Sequence, residues 1–272
     1  MARWRYSVSA AVNTPLTAPL PLEGDICEVL KTASKLGYEG VEIHTRETAK
    51  LDIGGIKEAV KSTKVKIVNI VTGRMNTEGG MSLLDDDGGK GAIDALKKYI
   101  DIAHSLSADI VLGWAKGKIA GAQDRKSCIE LLAKNLKIVE DYAKDRDVKI
   151  NIEVINRYET NIFNTAKELV AFLKKYDLKN CFVHLDTFHM NIEETDLLDA
   201  IKISRPYLNY IHFADNTRLY PGSGMIDFKA VLKTLKEVGY ENYINVECIP
   251  YPDRLTAAEK AISYLKNIEK EI

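Results

Sequence analysis

Short apolar, β-branched runs alternate with amphipathic segments along the whole chain. The runs predict strands at residues 6–11, 40–44, 65–71, 109–114, 148–154, 181–186, 209–214 and 243–248. The amphipathic spacing predicts helices at residues 25–37, 54–63, 91–105, 125–146, 164–176, 196–204, 228–238 and 255–270. Asp196 and Asp227 stand where N-cap residues begin helices, and Gly37 and Gly239 stand where helices end.

The order of these elements predicts the fold class. Eight strand–helix units in 272 residues, with mostly apolar strands, indicate a parallel sheet covered by helices. The length is that of a single α/β barrel, and no GxGxxG follows the first strand to favour a dinucleotide-binding sheet. We therefore predict one domain over residues 1–272, a single (β/α)8 TIM barrel of the α/β class with its active site at the C-terminal strand ends.

A glycine- and aspartate-rich segment, NTEGGMSLLDDDGGKG at residues 76–91, follows the third predicted strand. Glycines at both ends predict a mobile lid over residues 72–91 at the mouth of the barrel. An ordinary surface loop is the alternative interpretation.

The last four predicted strands each carry one ionisable residue near the C-terminal end: Glu153 in KINIEV, Asp186 in CFVHLD, His212 in NYIHF and Glu247 in YINVEC. In a parallel barrel these ends converge on one face. Buried carboxylates must be protonated, paired or bound to a cation, and no lysine or arginine lies beside them on the strands. Each residue alone also fits a salt-bridged strand end, but the set favours one divalent metal, Mn²⁺, Mg²⁺ or Co²⁺ rather than structural zinc. His184 is expected to be a core histidine with its hydrogen bonds satisfied.

The loops that leave these strands carry further polar residues. Arg157 and Glu159 follow the first strand of the set, His189 follows the second, and Arg218 follows the third. Because all these loops open onto one face, the four residues are candidate ligand contacts rather than solvated side chains. Trp114, at the end of an earlier strand, is a candidate pocket wall or an ordinary packing residue.

The segments EVINRYET, HLDTFHMNIEE, HFADNTRLYPGSGMIDF and YINVEC resemble the D-tagatose 3-epimerase and D-psicose 3-epimerase family of the xylose-isomerase-like TIM barrel superfamily. The resemblance runs from about Gly37 to the C-terminus and is strongest from residue 150 onward. It implies a metal-dependent isomerase that inverts C3 of a ketose or keto-sugar acid through a metal-stabilised cis-enediolate. An aldose–ketose isomerase like hydroxypyruvate isomerase, a ketose-phosphate 3-epimerase and an inosose dehydratase stay open as alternatives.

The resemblance also implies roles for single residues. Glu153, Asp186, His212 and Glu247 would bind the metal, Mn²⁺ ahead of Co²⁺, Mg²⁺ or Zn²⁺, and the two glutamates would be the acid–base pair. His189 and Arg218 would bind the substrate oxygen at C2, and Glu159 would bind its terminal hydroxyl. Relatives of this kind form homodimers or homotetramers.

The chain departs from the family pattern where the substrate is selected. Its N-terminal RWRYSVSAAVN does not match an aromatic-rich first strand. Glu42, His44, Arg46, Arg74 and Lys116 follow the early strands. The cations among them are candidate ligands for a carboxylate or phosphate, or else solvated surface charges.

Composition excludes several classes of function. A net charge of −1, a pI near 6.5 and five histidines argue against nucleic-acid binding and against a nuclease of the abasic-site endonuclease type. A non-catalytic sugar-binding barrel would be expected to lack one of the ligand residues. The four cysteines are far apart and form no CxxC pair, which indicates a reducing compartment. No signal peptide or membrane-spanning run is visible, so we expect a cytoplasmic protein that binds no membrane.

Overall fold

The computed structural model describes residues 4–121 and 123–272, in which nine parallel strands form one sheet. Eight of them close into a barrel because the first and last pair, with Tyr6 opposite Ile244. The barrel strands are β1 (Arg5–Ala11), β3 (Gly40–His44), β4 (Lys66–Val71), β5 (Asp109–Leu112), β6 (Ile150–Glu153), β7 (Cys181–Asp186), β8 (Leu208–Phe213) and β9 (Tyr243–Val246). The two-residue β2 (Leu22–Glu23) extends the sheet beside β1. The predicted (β/α)8 barrel is confirmed.

Helices follow the barrel strands along the chain. They are α1 (Ile26–Leu36), α2 (Ile53–Thr63), α3 (Gly73–Thr77), α4 (Lys90–Leu106), α5 (Arg125–Lys144), α6 (Ala166–Lys175), α7 (Thr187–Glu193), α8 (Leu197–Ser204), α9 (Phe228–Glu237) and α10 (Arg254–Glu269). Short 3₁₀ turns lie at Thr48–Lys50 and Trp114–Lys116. Within the described ranges, no helix combines the length and the apolarity needed to cross a membrane.

The predicted helix caps are confirmed. Asp196 accepts hydrogen bonds from backbone amides of α8, and Asp227 accepts one from α9. Gly37 ends α1 in the left-handed conformation at φ 87°, and Gly239 follows α9 at φ 74°. These caps satisfy backbone groups that would otherwise lose hydrogen bonds at the helix ends.

The apolar core lies between the strands and the helix layer, whereas polar side chains line the barrel axis. Asn151 donates to Asn69 Oδ1 at 2.9 Å, and Asn209 donates to Asn151 Oδ1 at 2.7 Å. Both bonds cross the barrel interior between buried side chains. These hydrogen bonds join the layer of side chains directly beneath the polar residues at the C-terminal strand ends.

Two local features differ from the prediction. Strand β7 runs directly into α7, so His189 lies on a helix and not on a loop, because Asp186 Oδ1 accepts the Phe188 amide at 2.7 Å and caps the helix. In the segment 72–91, residues 73–77 form α3, and Leu83 is fully buried. The Leu83 amide donates to the Ala115 carbonyl at 2.9 Å, which attaches the second half of the segment to the barrel. Its role as a lid stays a prediction.

Candidate metal and active site

Four strand ends place the predicted metal ligands next to one another. Glu153 ends β6, Asp186 ends β7, His212 lies near the end of β8, and Glu247 directly follows β9. One ligand atom from each residue lies within 4.8 Å of the others. All four side chains are buried or nearly so, although the parent strands are spread around half of the barrel. The structure therefore brings together the set that the sequence predicted, and its role as a metal site stays a prediction.

Two atoms of this cluster have hydrogen-bonding capacity that the protein does not use. Asp186 Oδ2 and His212 Nδ1 are buried and have no hydrogen-bond partner among the described residues. The other polar atom of each side chain has a partner. Asp186 Oδ1 accepts a hydrogen bond from the Phe188 amide, and His212 Nε2 lies 3.0 Å from Glu42 Oε2. A buried polar atom without a hydrogen-bond partner is costly, and a cation bound by both atoms would remove that cost. The donor set therefore fits a divalent cation.

The electrostatics of the cluster agree with this fit. Burial, and then the Glu247 carboxylate, raise the pKa of Glu153 to about 8. Burial and Glu247 likewise raise the pKa of Asp186 to about 7. Although burial opposes it, the facing carboxylates of Glu42 and Glu247 raise the pKa of His212 well above its usual value. The protein alone thus supplies too little positive charge for all the acids, and a divalent cation would supply the rest.

Glu42 lies behind the cluster as a carboxylate that fixes His212. It is fully buried, and its second oxygen, Oε1, accepts from Ser9 Oγ at 2.8 Å and lies 3.0 Å from His44 Nε2. Although burial opposes it, the facing His212 and His44 hold the pKa of Glu42 well below its usual range. Glu42, His44 and Glu247 also approach one another closely enough to hold an ion. The hydrogen bonds already made by Glu42 favour a positioning cluster over a second cation site.

Glu159 connects the predicted substrate-binding residues. It accepts hydrogen bonds from Trp114 Nε1 at 3.1 Å, from Arg218 Nη1 at 3.3 Å and from Asn156 Nδ2 at 3.0 Å. Arg218 also lies 3.6 Å from Glu247, which links this group to the predicted metal ligands. Trp114, Glu159, His189 and Arg218 all line one cavity of about 440 Å³, together with Glu153 and Glu247. This volume is within the range of small-molecule sites.

The loop that carries Arg218 is organised by Asp215. The Asp215 carboxylate is fully buried and accepts hydrogen bonds from the amides of Asn216, Gly222, Gly224 and Ile226. Arg218 itself adopts φ 61°, a left-handed conformation that a side chain with a Cβ disfavours. The four hydrogen bonds from backbone amides to Asp215 offset that cost and hold the Arg218 guanidinium at the cavity.

The structure places Arg157 away from the cavity. Its guanidinium pairs with Glu193 at 2.8 Å, its side chain is 61% exposed, and it is not among the residues that line the cavity. The side chain points outward because the neighbouring Asn156 turns inward and Glu193 of α7 offers a carboxylate on the outer side. The structure does not support a substrate contact for Arg157.

The expectation for His184 is confirmed in one part and wrong in the other, because the ring lies in the core but its hydrogen bonds are not satisfied by the described residues. The ring is fully buried, and within the described ranges neither of its nitrogens has a hydrogen-bond partner. It packs edge-to-face on His212 with 4.1 Å between ring centroids. Burial, and then the adjacent His212, lower the pKa of His184 well below its usual value. A neutral ring in this position can support the His212 imidazole through packing.

The additional cations at the early strands do not form an anion site in the main cavity. Arg74 lines this cavity and pairs with Glu78, which lines it too. Lys116 is fully buried and donates to the Gly113 carbonyl at 3.2 Å. Arg46 lines a neighbouring depression rather than the main cavity. His44, in contrast, lies within the main cavity beside Glu247.

Two residues that matter for the site were not assigned a role from the sequence. Glu42 was grouped with the charges at the mouth, yet GVEIH shows the same pattern as the late strands, one acid near the end of an apolar run. Asn156 had no pattern to mark it, because a single asparagine after a strand is usually a turn residue. Its importance comes from a contact with His189, 33 positions further along the chain.

Comparison with known proteins assigns the chain to a class. Residues 30–268 match the model of the family described as xylose isomerase-like TIM barrel, and the chain belongs to this family. Its relatives within that class include carbohydrate epimerases. An L-ribulose 3-epimerase from Methylomonas sp. (strain DH-1) is 30% identical over 223 residues, which cover 79% of this chain and 75% of the relative. A 3-dehydro-D-guloside 4-epimerase from Escherichia coli (strain K12) is 25% identical over 248 residues, 88% of this chain and 91% of the relative.

A solved structure shows the shared fold. The D-allulose 3-epimerase from Methylomonas sp. in complex with D-allulose superimposes with a TM-score of 0.79 at 24% identity, covering 98% of each chain. That relative binds a small sugar in the same kind of barrel. The family predicted from the sequence motifs is confirmed.

Proposed function

We propose that this protein is a divalent-metal-dependent epimerase that inverts C3 of a ketose. One observation carries the proposal: ligand atoms of Glu153, Asp186, His212 and Glu247 converge beside a cavity that Glu153 and Glu247 line, and Asp186 Oδ2 and His212 Nδ1 have no hydrogen-bond partner among the described residues. The same cavity holds His189, Arg218 and Glu159 as hydrogen-bonding groups for a polyhydroxylated ligand. The names of the relatives, ketose 3-epimerases among them, support the same reaction.

A cation held by these four residues, Mn²⁺ by preference, would supply positive charge to stabilise the enediolate that forms when a proton leaves the carbon beside a ketone. Glu153 ends β6 and Glu247 directly follows β9, with β7 and β8 between these two strands, so their carboxylates reach the cavity from different walls. One carboxylate removes the C3 proton from one face of the substrate, and the other returns a proton to the opposite face. Arg218 and His189 donate hydrogen bonds to the oxygen at C2, and Glu159 accepts one from a hydroxyl.

The charges around the cavity favour a neutral sugar over a keto-sugar acid or a sugar phosphate. The Arg74 guanidinium already has Glu78 as partner, and Lys116 does not reach the cavity surface. Glu78 and Glu159 lie on the same cavity as acids that would repel an anionic substrate. The cytoplasmic location and a homodimeric or homotetrameric assembly stay proposals from the sequence.

A substrate panel in D₂O tests the reaction. The panel contains free ketoses, keto-sugar acids, ketose phosphates and 3-keto glycosides, and NMR follows deuterium incorporation at carbon. We expect deuterium at C3 of a free ketose together with its C3 epimer. An aldose product would identify an isomerase, loss of water would identify a dehydratase, and exchange at C4 of a keto glycoside would identify a 4-epimerase. Each of these outcomes contradicts the proposed 3-epimerase.

Substitution of the acid–base pair tests the assignment of roles. Glu153→Gln and Glu247→Gln should each lower proton exchange by about 10³-fold or more, because a neutral amide neither removes nor returns a proton. Glu130→Gln, on the exposed face of α5, is the matched control and should keep full activity. Full activity in either glutamate variant refutes its role. Removal of metal by a chelator should stop turnover, and Mn²⁺ or Co²⁺ should restore it.

A further inference from the structure

Asn156 is a buried amide between two residues of the candidate site, with 1% of its surface exposed. Its Oδ1 accepts the backbone amide of Tyr158 at 3.0 Å, and its Nδ2 donates to Glu159 Oε1 at 3.0 Å. A backbone N–H can only donate and a carboxylate can only accept. A flipped amide would place donor against donor and acceptor against acceptor. These two contacts therefore fix the orientation of the Asn156 amide.

The fixed amide determines the tautomer of His189. Asn156 Nδ2 lies 2.7 Å from His189 Nδ1, and an amide nitrogen can only donate. Nδ1 must then be the nitrogen with a lone pair, because a hydrogen on Nδ1 would point at the amide hydrogens. The ring proton is consequently on Nε2.

Among the described residues, His189 Nε2 has no hydrogen-bond partner. It lies 3.7 Å from Glu153 Oε1 and 3.9 Å from Asp186 Oδ2, both longer than a hydrogen bond. The residue lines the cavity while nearly all of its surface is buried. An N–H in this position is available to an oxygen atom of a ligand that enters between the two carboxylates.

We propose that Asn156 is a positioning residue that holds His189 as an Nε2–H donor, so that His189 gives a hydrogen bond to the substrate oxygen and takes no part in proton removal. This inference rests on the proposed function, and it assigns proton transfer to Glu153 and Glu247 alone. His212 is held through its other ring nitrogen. Its Nε2 faces Glu42, which leaves Nδ1 for a cation. Two neighbouring histidines thus serve as donor and as ligand because different partners fix their rings.

The wild-type protein provides the first test, with no substrate required. Long-range ¹H–¹⁵N correlation spectra of the ¹⁵N-labelled protein distinguish the two neutral tautomers, with and without diamagnetic Mg²⁺, and His189→Gln assigns the signals. We expect the Nε2–H pattern for His189 in both samples. An Nδ1–H pattern overturns the inference, whatever the substrate is.

Asn156→Asp is the second test, because an aspartate in the same shape accepts rather than donates. The new carboxylate would lie beside Glu159, so the variant is made in a Glu159→Gln background and compared with Glu159→Gln alone. We expect the His189 proton to move to Nδ1 and kcat to fall about 10²-fold or more, with a much smaller change in KM, because one donor to the developing charge is lost. Asn161→Asp is the matched control, because Asn161 lies in the same loop but its side chain is hydrogen-bonded to the backbone of Ile119. It should change neither the His189 tautomer nor kcat.

The outcomes separate this inference from the proposed function. Unchanged kcat after the tautomer has switched overturns the donor role, and an unswitched tautomer overturns the positioning role of Asn156. If the wild-type spectrum shows the Nε2–H pattern for His189 but the protein turns over no ketose, the proposed epimerase is overturned while the tautomer assignment stands. Thermal unfolding of each variant identifies a loss of folding, and the wild-type spectrum decides the tautomer even then.

Discussion

His212 Nε2 lies 3.0 Å from Glu42 Oε2, a contact between β8 and β3 across the buried interior of the barrel. Because the carboxylate can only accept, it orients the imidazole and leaves Nδ1 facing Glu247 and Asp186. A partner of this kind typically contributes to metal affinity without touching the metal.

Glu42→Gln should therefore weaken metal binding by about 10- to 100-fold. The amide still fills the space but can present an N–H to His212 Nε2 and favour the wrong ring orientation. Calorimetric titration of the metal-free protein with Mn²⁺ measures the affinity, and Glu130→Gln is the control. An unchanged affinity would show that Glu42 does not orient His212.

Close packing against Glu153 leaves no room for a side chain at Gly113. A Cβ at this position would lie 2.6 Å from Glu153 Oε2, closer than Cβ atoms approach other atoms. Gly113→Ala should displace the carboxylate, lower the free energy of unfolding by about 1–3 kcal/mol and reduce Mn²⁺ affinity. Gly54→Ala, where the nearest atom would be 3.5 Å away, is the matched control and should leave affinity unchanged. Wild-type affinity in Gly113→Ala would contradict the close packing of Glu153.

We expect the conformation of Arg218 to depend on the four hydrogen bonds that backbone amides donate to the Asp215 carboxylate. Asp215→Asn replaces one acceptor oxygen by a donor that faces backbone N–H groups, which should cost about 1–3 kcal/mol of folding free energy. The released Arg218 should bind the substrate oxygen less well, so kcat/KM should also fall. Denaturant unfolding and steady-state kinetics measure the two effects. Asp196→Asn is the control, because asparagine also caps a helix well; equal effects in both variants would exclude a special role for Asp215.

The sequence predicted the barrel and the acidic cluster because both depend on local patterns. Apolar strand runs give the parallel sheet, and the geometry of a parallel barrel brings its C-terminal strand ends together. Glu153, Asp186 and His212 are recognisable because each is an ionisable residue at the last or next-to-last position of such a run. Their convergence then follows from the fold.

Contacts between residues far apart in the chain were not predictable in this way. Arg157 and Asn156 are adjacent in the sequence, yet one pairs with Glu193 outside and the other binds His189 inside. The loop conformation decides which of the two faces inward, and no periodicity specifies it. The start of α7 at Asp186 was missed for a related reason, because one carboxylate ends a strand and caps a helix at the same time.

The raised pKa values predict how the metal-free protein responds to pH. Glu153 has a pKa of about 8 and Asp186 one of about 7, both above the ordinary values, and the pKa of His212 is also raised. Burial lowers the pKa values of His184 and His189, so the folded state holds more protons than the unfolded state only between about pH 6 and pH 8, where Glu153, Asp186 and His212 outweigh these two neutral histidines. Since stability falls with pH wherever the folded state binds more protons, the chelated protein should be less stable at pH 8.5 than at pH 6, by on the order of 2 kcal/mol.

Bound Mn²⁺ should cancel this loss, because the metal replaces the protons and binds more tightly as pH rises. Denaturant unfolding at the two pH values, with chelator and with saturating Mn²⁺, measures both effects. A Glu153→Gln, Asp186→Asn double variant removes two of the titrating groups, so its metal-free stability should depend less on pH than that of the wild type. Metal-free stability that is constant or rises with pH in the wild type would mean that the acids at the strand ends are not crowded as the structure places them.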